Sequence, residues 1–322
     1  MPALLRPLLL PFLRRDPEEI ARRARRFAIE GAEGRDLVAG VGRAFLGGYN
    51  AMLEASGLDE VQRQAESAPV HFRPFFFEGA AMGYLPRGWY RAECRPDRAE
   101  RDLLEMHPGF RSLYYVGLGF WYGFRHSRRP ERLLDLEPHI DPMYFPLCFD
   151  GFAFKIAFFD FPRDKRAARR LKRIPGSYRH AAAQGFGRGC FFVFHDNELG
   201  FRRLREASPE EFRCDVELGR SLATGFTGID RPETLLPFVR KASTTDERAA
   251  RLTGVTWAVT ARKMNDPDYF DRCMERVPDP DRALLTDLPA LCDAARDASD
   301  GYFDWQTRTR QAAVERLGSV AP

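Results

Sequence analysis

Two carboxylates lie inside long apolar stretches of the sequence. Glu78 follows three consecutive phenylalanines, Phe75–Phe77, and Asp150 stands in the otherwise apolar run 147–154. A carboxylate removed from water must be paired or hydrogen-bonded, or it keeps its proton to a higher pKa. A carboxylic acid with a raised pKa can transfer protons near neutral pH. Glu78 and Asp150 are therefore the predicted catalytic residues, in acid–base or cation-stabilising roles.

Further polar and aromatic side chains occur in similar glycine-rich, aromatic stretches. The run 184–194 begins with Gln184 and carries Arg188 between two glycines. Two interpretations remain open. The arginines could form ion pairs that clamp helices together, or the polar groups could lie in an aromatic cavity and contact a substrate. Under the second interpretation the substrate-binding residues are Gln184, Arg188, Arg125, Arg262, Phe120, Trp257 and Phe77.

Motifs for several common kinds of catalysis are absent from the sequence. It has no Walker loop, no GxSxG turn, no HExxH and no aspartate-rich motif for magnesium diphosphate. The six cysteines and six histidines lack the spacing of metal ligands. The net charge is only +4, which disfavours nucleic acid as a partner. We predict no metal, no cofactor and no nucleic-acid partner, and an apolar small molecule as the substrate.

The pattern of apolar residues predicts an all-α fold. Period-two alternation is rare, and hairpin turns between alternating runs are absent. Glycine- and aromatic-rich helices are predicted to begin near Asp36, Phe72 and Ser112, and the basic stretch 163–173 is predicted to be helical. The segment 287–289 contains Pro289 and is predicted to interrupt the helical pattern. Glycine costs about 1 kcal/mol relative to alanine within a helix, so these glycines indicate places where another backbone comes close.

An internal repeat is the second prediction about the fold. Three segments of the first half match three of the second half in the same order: Gly40–Arg43 with Gly185–Arg188, Glu78–Met82 with Leu218–Leu222, and Gly117, Phe120 and Arg125 with Gly254, Trp257 and Arg262. We predict a duplicated helical bundle made of residues 1–175 and 176–322, packed as one globular unit about a pseudo-twofold axis. A cavity at the interface of the repeats is the predicted ligand site.

Residues 1–15 form an apolar, arginine-bearing arm broken by Pro7 and Pro11. The arm could pack on the domain, act as a signal peptide or lie on a membrane surface. No later segment offers about 20 uninterrupted apolar residues, so no membrane-spanning helix is predicted. The predicted location is cytoplasmic, with peripheral membrane attachment through residues 1–15 as an alternative.

Several ordered motifs resemble a bacterial family of unknown function, the UnbL-like proteins. The motifs are GRAFLGGYNAML, FFFEGAAMGY, YYVGLGFWYGFR, DGFAFKIAFF and QGFGRGCFFVF, and the resemblance spans roughly residues 10–265. It implies that Glu78, Gly79, Gly117, Asp150, Gly151, Gln184, Gly185, Gly187 and Arg188 are shared positions. Lys155 stands where that family tends to have histidine, which places a proton-transfer role for this position in doubt. Members are encoded beside enediyne polyketide synthases and in other specialised-metabolite gene clusters.

This resemblance implies a role in specialised-metabolite biosynthesis. We expect a protein that holds a long polyene or isoprenoid-like substrate in an aromatic cavity. An enzyme such as a cyclase or isomerase that needs no cofactor fits the absent motifs. The alternative is a non-catalytic carrier or a structural partner of a polyketide synthase of the enediyne type or of another pathway enzyme. A carrier would need the cavity but not the carboxylates.

Overall fold

The computed structural model describes residues 5–320, and this part of the chain forms sixteen α-helices and no β-strand. The all-α prediction is confirmed. The helices are α1 Arg6–Leu13, α2 Glu19–Ala24, α3 Ala32–Glu54, α4 Leu58–Glu66, α5 Arg73–Arg87, α6 Pro96–Met106, α7 Arg111–Arg125, α8 Pro146–Lys155, α9 Tyr178–Phe194, α10 Glu198–Ala207, α11 Arg213–Thr227, α12 Leu235–Arg240, α13 Thr245–Asn265, α14 Pro267–Met274, α15 Asp281–Asp297 and α16 Tyr302–Val320.

Helical segments of other types join or extend these helices. A π-helical turn, Ile156–Asp160, continues α8, and 3₁₀ segments occur at Pro108–Phe110, Pro130–His139, Lys165–Arg173, Glu210–Phe212 and Pro232–Thr234. The basic stretch predicted as a helix is therefore a 3₁₀ segment, flanked by Asp164, whose side chain accepts a hydrogen bond from the Arg166 amide.

The predicted break at residues 287–289 is wrong, because α15 continues through Pro289 to Asp297. Proline removes one backbone donor and strains the preceding turn. Here the cost is offset by burial, since Leu284, Leu285 and Leu288 on the same helix are fully buried. Packing of the apolar face overrides the local preference of proline.

Seven helices form the framework of the protein. In chain order α3, α5, α7, α8, α9, α11 and α13 each pack against the next. One hydrophobic core runs from Leu13 to Tyr302, and a smaller one from Ile229 to Ala313 lies under the C-terminal helices. The predicted boundary between residues 175 and 176 falls between α8 and α9, which pack tightly on each other. That boundary stays a prediction.

Glycines bring neighbouring framework helices into backbone contact. In three helix pairs the arrangement is reciprocal, because a Cβ added to the glycine of either helix would overlap a backbone carbonyl oxygen of the other. These pairs are Gly48 of α3 with Gly79 of α5, Gly119 of α7 with Gly151 of α8, and Gly187 of α9 with Gly219 of α11. Each glycine faces the carbonyl three residues before its partner glycine: Gly48 faces Phe76 and Gly79 faces Phe45.

The reciprocal contacts recur along the chain about every 70 residues. Gly48, Gly119 and Gly187 are 71 and 68 residues apart. Gly117 and Gly254, aligned in the sequence, make corresponding contacts, with the residues before Gly79 and Gly219. In two of the three aligned pairs of segments, the two members are therefore separated in sequence by about two of these 70-residue intervals.

The remaining aligned glycines differ in their contacts. Gly42 packs on the side chain of Ile20, and Gly40 packs on Phe72, whereas Gly187 packs on the backbone of α11. The duplication about a pseudo-twofold axis therefore stays a prediction.

A substitution at one of these crossings should be strongly destabilising. In Gly219→Ala the new Cβ would overlap the Gln184 carbonyl oxygen, so α9 and α11 must separate. We expect the free energy of unfolding to fall by about 1–3 kcal/mol or more, measured by urea denaturation. The matched control is Gly318→Ala in α16, where the added methyl meets nothing within 4 Å and alanine favours the helix by about 1 kcal/mol. Equal stability of the two variants would refute the close contact.

Candidate functional site

A cavity of about 230 Å³ lies at the centre of the framework helices. All seven of these helices contribute to its wall, together with α2, the π-turn, α15 and α16. Most of the lining is apolar, and aromatic rings come from several elements: Phe45, Phe75, Phe120, Phe154, Phe192, Phe226, Trp257 and Trp305. The volume is slightly below the range of about 300–1,000 Å³ usual for pockets of drug-sized ligands. The cavity suits a slender or compact apolar molecule.

Asp150 is the centre of a buried polar cluster in the cavity wall. Its Oδ1 accepts a hydrogen bond from Nε of Arg188 at 3.0 Å, and its Oδ2 accepts one from Nε2 of Gln184, also at 3.0 Å. The hydroxyl of Tyr302 donates to Oε1 of Gln184 at 3.2 Å. These contacts fix the orientation of the Gln184 amide, since its nitrogen and oxygen each have a defined partner. Asp150 is only 1% exposed, so the ion pair with Arg188 is a buried one.

The carboxyl group of Glu78 lies next to this cluster and forms no hydrogen bond with any residue in the described part of the chain. Its nearest charged partner is Arg188, whose Nη2 is 3.8 Å from Oε1. Glu78 is 3% exposed. Burial raises the pKa of Glu78 to about 7, the positive charge of Arg188 opposes this rise, and the charge of Asp150 adds to it. Glu78 is therefore poised to gain or lose a proton near neutral pH.

The two carboxylates share a single guanidinium. Burial raises the pKa of Asp150, while the charge and hydrogen bonds of Arg188 and the bond from Gln184 act in the opposite direction. Burial alone would lower the pKa of Arg188, but the charges of Asp150 and Glu78 raise it above its ordinary value. Arg188 is thus charged and paired first with Asp150. A single guanidinium cannot fully neutralise two buried carboxylates. Because Arg188 is bonded to Asp150 and lies farther from Glu78, Glu78 is the carboxylate whose charge is less well neutralised.

Three buried donors in the cavity wall form no hydrogen bond with a described residue: Nε of Arg23, Nη2 of Arg188 and Nε1 of Trp257. Nη2 of Arg188 lies 2.7 Å from Oδ1 of Asp150 but has no hydrogen bond of acceptable geometry. Nε1 of Trp257 has no partner either, although Trp257 is only 7% exposed. An unpaired buried donor costs about 1–3 kcal/mol. Nη2 of Arg188 and Nε1 of Trp257 would be satisfied by a ligand that carries oxygen acceptors.

The close helix crossings hold the carboxylates in place. Glu78 and Asp150 each precede the glycine of a reciprocal contact, Gly79 and Gly151. Their own carbonyl oxygens are in turn covered by Gly117 of α7 and Gly185 of α9. The backbone on either side of each carboxylate is therefore packed against another helix, which limits the movement of its Cα.

The structure brings most of the predicted site residues together but not all. Glu78, Asp150, Gln184, Arg188, Phe120 and Trp257 all line the cavity. Phe77 points elsewhere and stacks on Phe110 with ring centroids 4.1 Å apart. The reason is the helical period, which turns Phe77 away from the cavity while Phe75 and Glu78 face it.

The structure does not bring Arg125 or Arg262 to the cavity. Arg125 is exposed at the end of α7. Arg262 is buried, donates to the backbone oxygen of His71 at 3.0 Å and lies 4.6 Å from the ring centroid of Phe226. Burial lowers the pKa of Arg262 to about 10. Lys155 also lies outside the lining and forms an ion pair with Asp160, at 2.9 Å.

Other contributors to the site were not predicted from the sequence. Tyr302 in α16 completes the polar cluster, and Phe158 and Phe159 of the π-turn line the cavity. A π-turn often accompanies a functional site. No local pattern in the sequence links Tyr302 to Gln184, which is 118 positions away.

The described residues contain no group of three or more His, Cys, Asp or Glu side chains that could hold a metal ion. None of the helices in that part of the chain is long and apolar enough to cross a lipid bilayer.

These features define an all-helical protein with a buried carboxylate–guanidinium cluster in an aromatic-lined cavity. The chain belongs to the DUF1702 family, a family of proteins of unknown function, and the match covers residues 4–269. Nothing in that match links the chain to the UnbL-like proteins or to enediyne gene clusters. No curated protein and no solved structure matches the chain.

Proposed function

We propose that the protein is an enzyme that isomerises or cyclises an apolar small molecule by proton transfer from its own side chains. The observation that carries this proposal is Glu78, a carboxyl group in an apolar cavity with a pKa raised to about 7 and no hydrogen bond to a described residue. A buried carboxylate that served only to clamp helices would be bonded to its partner, as Asp150 is. Asp150 is a positioning residue in this proposal, because it orients Arg188.

The proposed reaction needs both an acid–base group and donors. Glu78 as carboxylate would take a proton from a carbon next to a carbonyl group, and the electron pair would move onto the carbonyl oxygen. Nη2 of Arg188 and Nε1 of Trp257 are donors without a hydrogen bond to a described residue, and they could stabilise this oxygen. Return of the same proton to another carbon, or ring closure before its return, gives an isomer or a cyclised isomer. Atoms and charge balance without another reactant.

The aromatic lining favours a conjugated or isoprenoid-like substrate. A role in specialised-metabolite biosynthesis, including a pathway of the enediyne polyketide type, extends this proposal and rests on motif resemblance alone. The apolar wall would equally serve a carrier, which is the second candidate function. A carrier has no need of an unbonded carboxyl group with a pKa near 7.

A trapping experiment with Glu78→Gln tests the proposed reaction. The purified proteins are incubated with apolar metabolites extracted from the source organism, and consumed, formed and protein-bound compounds are identified by mass spectrometry. We expect the substitution to lower turnover by a factor of about 10² or more, as expected for lost acid–base catalysis. Its substrate should stay bound, because glutamine keeps the shape of the side chain.

The exposed Glu131 supplies the matched control, since Glu131→Gln alters the same chemical group outside the cavity. This variant should turn over substrate like the unsubstituted protein. Activity with Glu78 as the base should rise with pH to a plateau above about 7. Full turnover by Glu78→Gln would refute the proposal, and the same unchanged compound bound to both proteins would support a carrier.

A further inference from the structure

Exposed large hydrophobic side chains are concentrated near one end of the framework. Of the eight found among the described residues, five are Leu5, Leu8, Phe12, Trp89 and Phe124. Phe12 is 83% exposed and Leu8 is 65% exposed. Side chains of this size are normally scattered singly over a surface, and a cluster indicates an interaction site.

The first three of these residues form one face of α1 and of the residue before it, Leu5. Leu5, Leu8 and Phe12 are three and four positions apart, which places them on the same side of a helix. The opposite side is anchored to the protein, because Leu13 is buried and Arg6 donates to the backbone oxygen of Glu54. Since α1 is held by its other side, the rest of the described chain leaves Leu5, Leu8 and Phe12 between 45% and 83% exposed.

Trp89 and Phe124 extend this face towards the cavity. The segment that carries Trp89 docks on the same end of α3 as α1, since the Tyr90 hydroxyl donates to the Leu53 oxygen at 2.6 Å. The Trp89 ring contacts Trp121, with centroids 5.6 Å apart. Trp121 and Phe124 both line the cavity. Phe124 is 37% exposed and therefore marks a mouth of the cavity, and Trp89 lies beside this mouth through its contact with Trp121.

Positive charge accompanies these apolar residues. Residues 1–26 contain seven arginines and three acidic residues, a net charge of +4 that equals the net charge of the whole chain. Arg125, Arg128 and Arg129, next to Phe124, are exposed and form no ion pair with described residues. Exposed leucine and aromatic side chains flanked by arginines are typical of segments that lie in the interface of an anionic membrane.

We propose that the surface formed by Leu5, Leu8, Phe12, Trp89 and Phe124 binds the surface of an anionic lipid bilayer. The apolar side chains enter the headgroup region, and the flanking arginines contact the acidic headgroups. This orientation turns the cavity mouth at Trp121 and Phe124 towards the bilayer, where an apolar ligand would be dissolved. The proposal does not depend on the reaction assigned to Glu78.

Vesicle flotation tests this membrane surface. The full chain is mixed with vesicles of phosphatidylcholine alone or of phosphatidylcholine with phosphatidylglycerol, and the bound fraction is measured. We expect binding to the vesicles that contain phosphatidylglycerol and weaker binding as salt is added, because salt screens the headgroup charge. The emission of Trp89 should shift to shorter wavelength on binding, and Trp89→Phe should lose this part of the shift.

Substitution of the apolar face distinguishes the possible occupants. Leu8→Ser with Phe12→Ser should weaken vesicle binding by at least about tenfold, because two apolar side chains no longer leave water. Leu199→Ser, at a residue that is 54% exposed in α10, should bind like the unsubstituted protein. Undiminished binding by the double variant, or no binding to either vesicle, would overturn the proposal. A dimer that only the double variant loses in sedimentation velocity would assign the surface to a second copy of the chain instead.

Discussion

Asp150→Asn is expected to lower the free energy of unfolding by about 3–5 kcal/mol, the usual cost of leaving a buried charge without its partner. Asp150 accepts hydrogen bonds from both Arg188 and Gln184 and is 1% exposed. Asparagine removes the negative charge, and its NH₂ group replaces a carboxylate oxygen that accepted a hydrogen bond. Arg188 then keeps only Glu78, 3.8 Å away, as a counter-charge. Urea denaturation at pH 7 measures the loss.

A double variant distinguishes the effect of removing the whole ion pair from the effect of removing one partner. Asp150→Leu with Arg188→Met removes both charges, so it should be more stable than either single substitution. Asp135→Asn is the matched surface control, because Asp135 pairs with Arg132 on the exposed side of a 3₁₀ segment, and such pairs contribute about 0–1 kcal/mol. If Asp150→Asn lowered the free energy of unfolding no more than Asp135→Asn does, Asp150 and Arg188 would not be a buried pair.

Glu78→Gln is expected to stabilise the protein above neutral pH. The pKa of Glu78 is raised from 4.5 to about 7 in the folded state, so the folded state binds the proton more tightly than the unfolded state. The contribution of Glu78 to stability is therefore complete below about pH 4.5 and is lost as the pH rises through about 7. The difference of about 2.5 pKa units corresponds to about 3 kcal/mol.

Glutamine resembles the protonated acid at every pH. The variant and the unsubstituted protein should therefore be similar in stability near pH 4.5, and the variant should become the more stable of the two by about 3 kcal/mol at pH 8. Thermal denaturation across this pH range provides the comparison. Glu131→Gln should leave the pH dependence unchanged. If Glu78→Gln lowered stability at pH 8, Glu78 would be an ionised partner of Arg188 rather than a proton-transfer group.

The all-α class was predictable from the sequence, whereas the way in which the helices pack was only partly predictable. The apolar period and the glycines of α5, α7 and α9 indicated helices with close backbone approaches. Pro289 was misleading because the buried face of α15 outweighs a single missing donor. The sequence does not reveal the spacing of the reciprocal contacts, because each of these glycines packs on a backbone carbonyl oxygen. Every residue carries such an oxygen, so no residue type marks the partner.

The candidate site, too, was only partly predictable from the sequence. Glu78 and Asp150 were recognisable because a charge inside an apolar run must have a compensating environment. Arg188 is the guanidinium that supplies it, while Arg125 and Arg262 are equally prominent in sequence but lie on other sides of their helices. Tyr302 could not be predicted, since its contact with Gln184 depends on how α16 folds back over the framework.

The glycine contacts also determine how the cavity can respond to a ligand. Where backbone meets backbone, no side chain lies between the helices that could change rotamer and let them separate by a small amount. Widening the cavity would require whole helices to lose contact at several crossings together. The mouth is different, because Trp121 and Phe124 are side chains that can rotate while the helices stay fixed. Ligands should therefore be selected sharply by their cross-section, and their exchange should be governed by side-chain rotation at the mouth rather than by opening of the bundle.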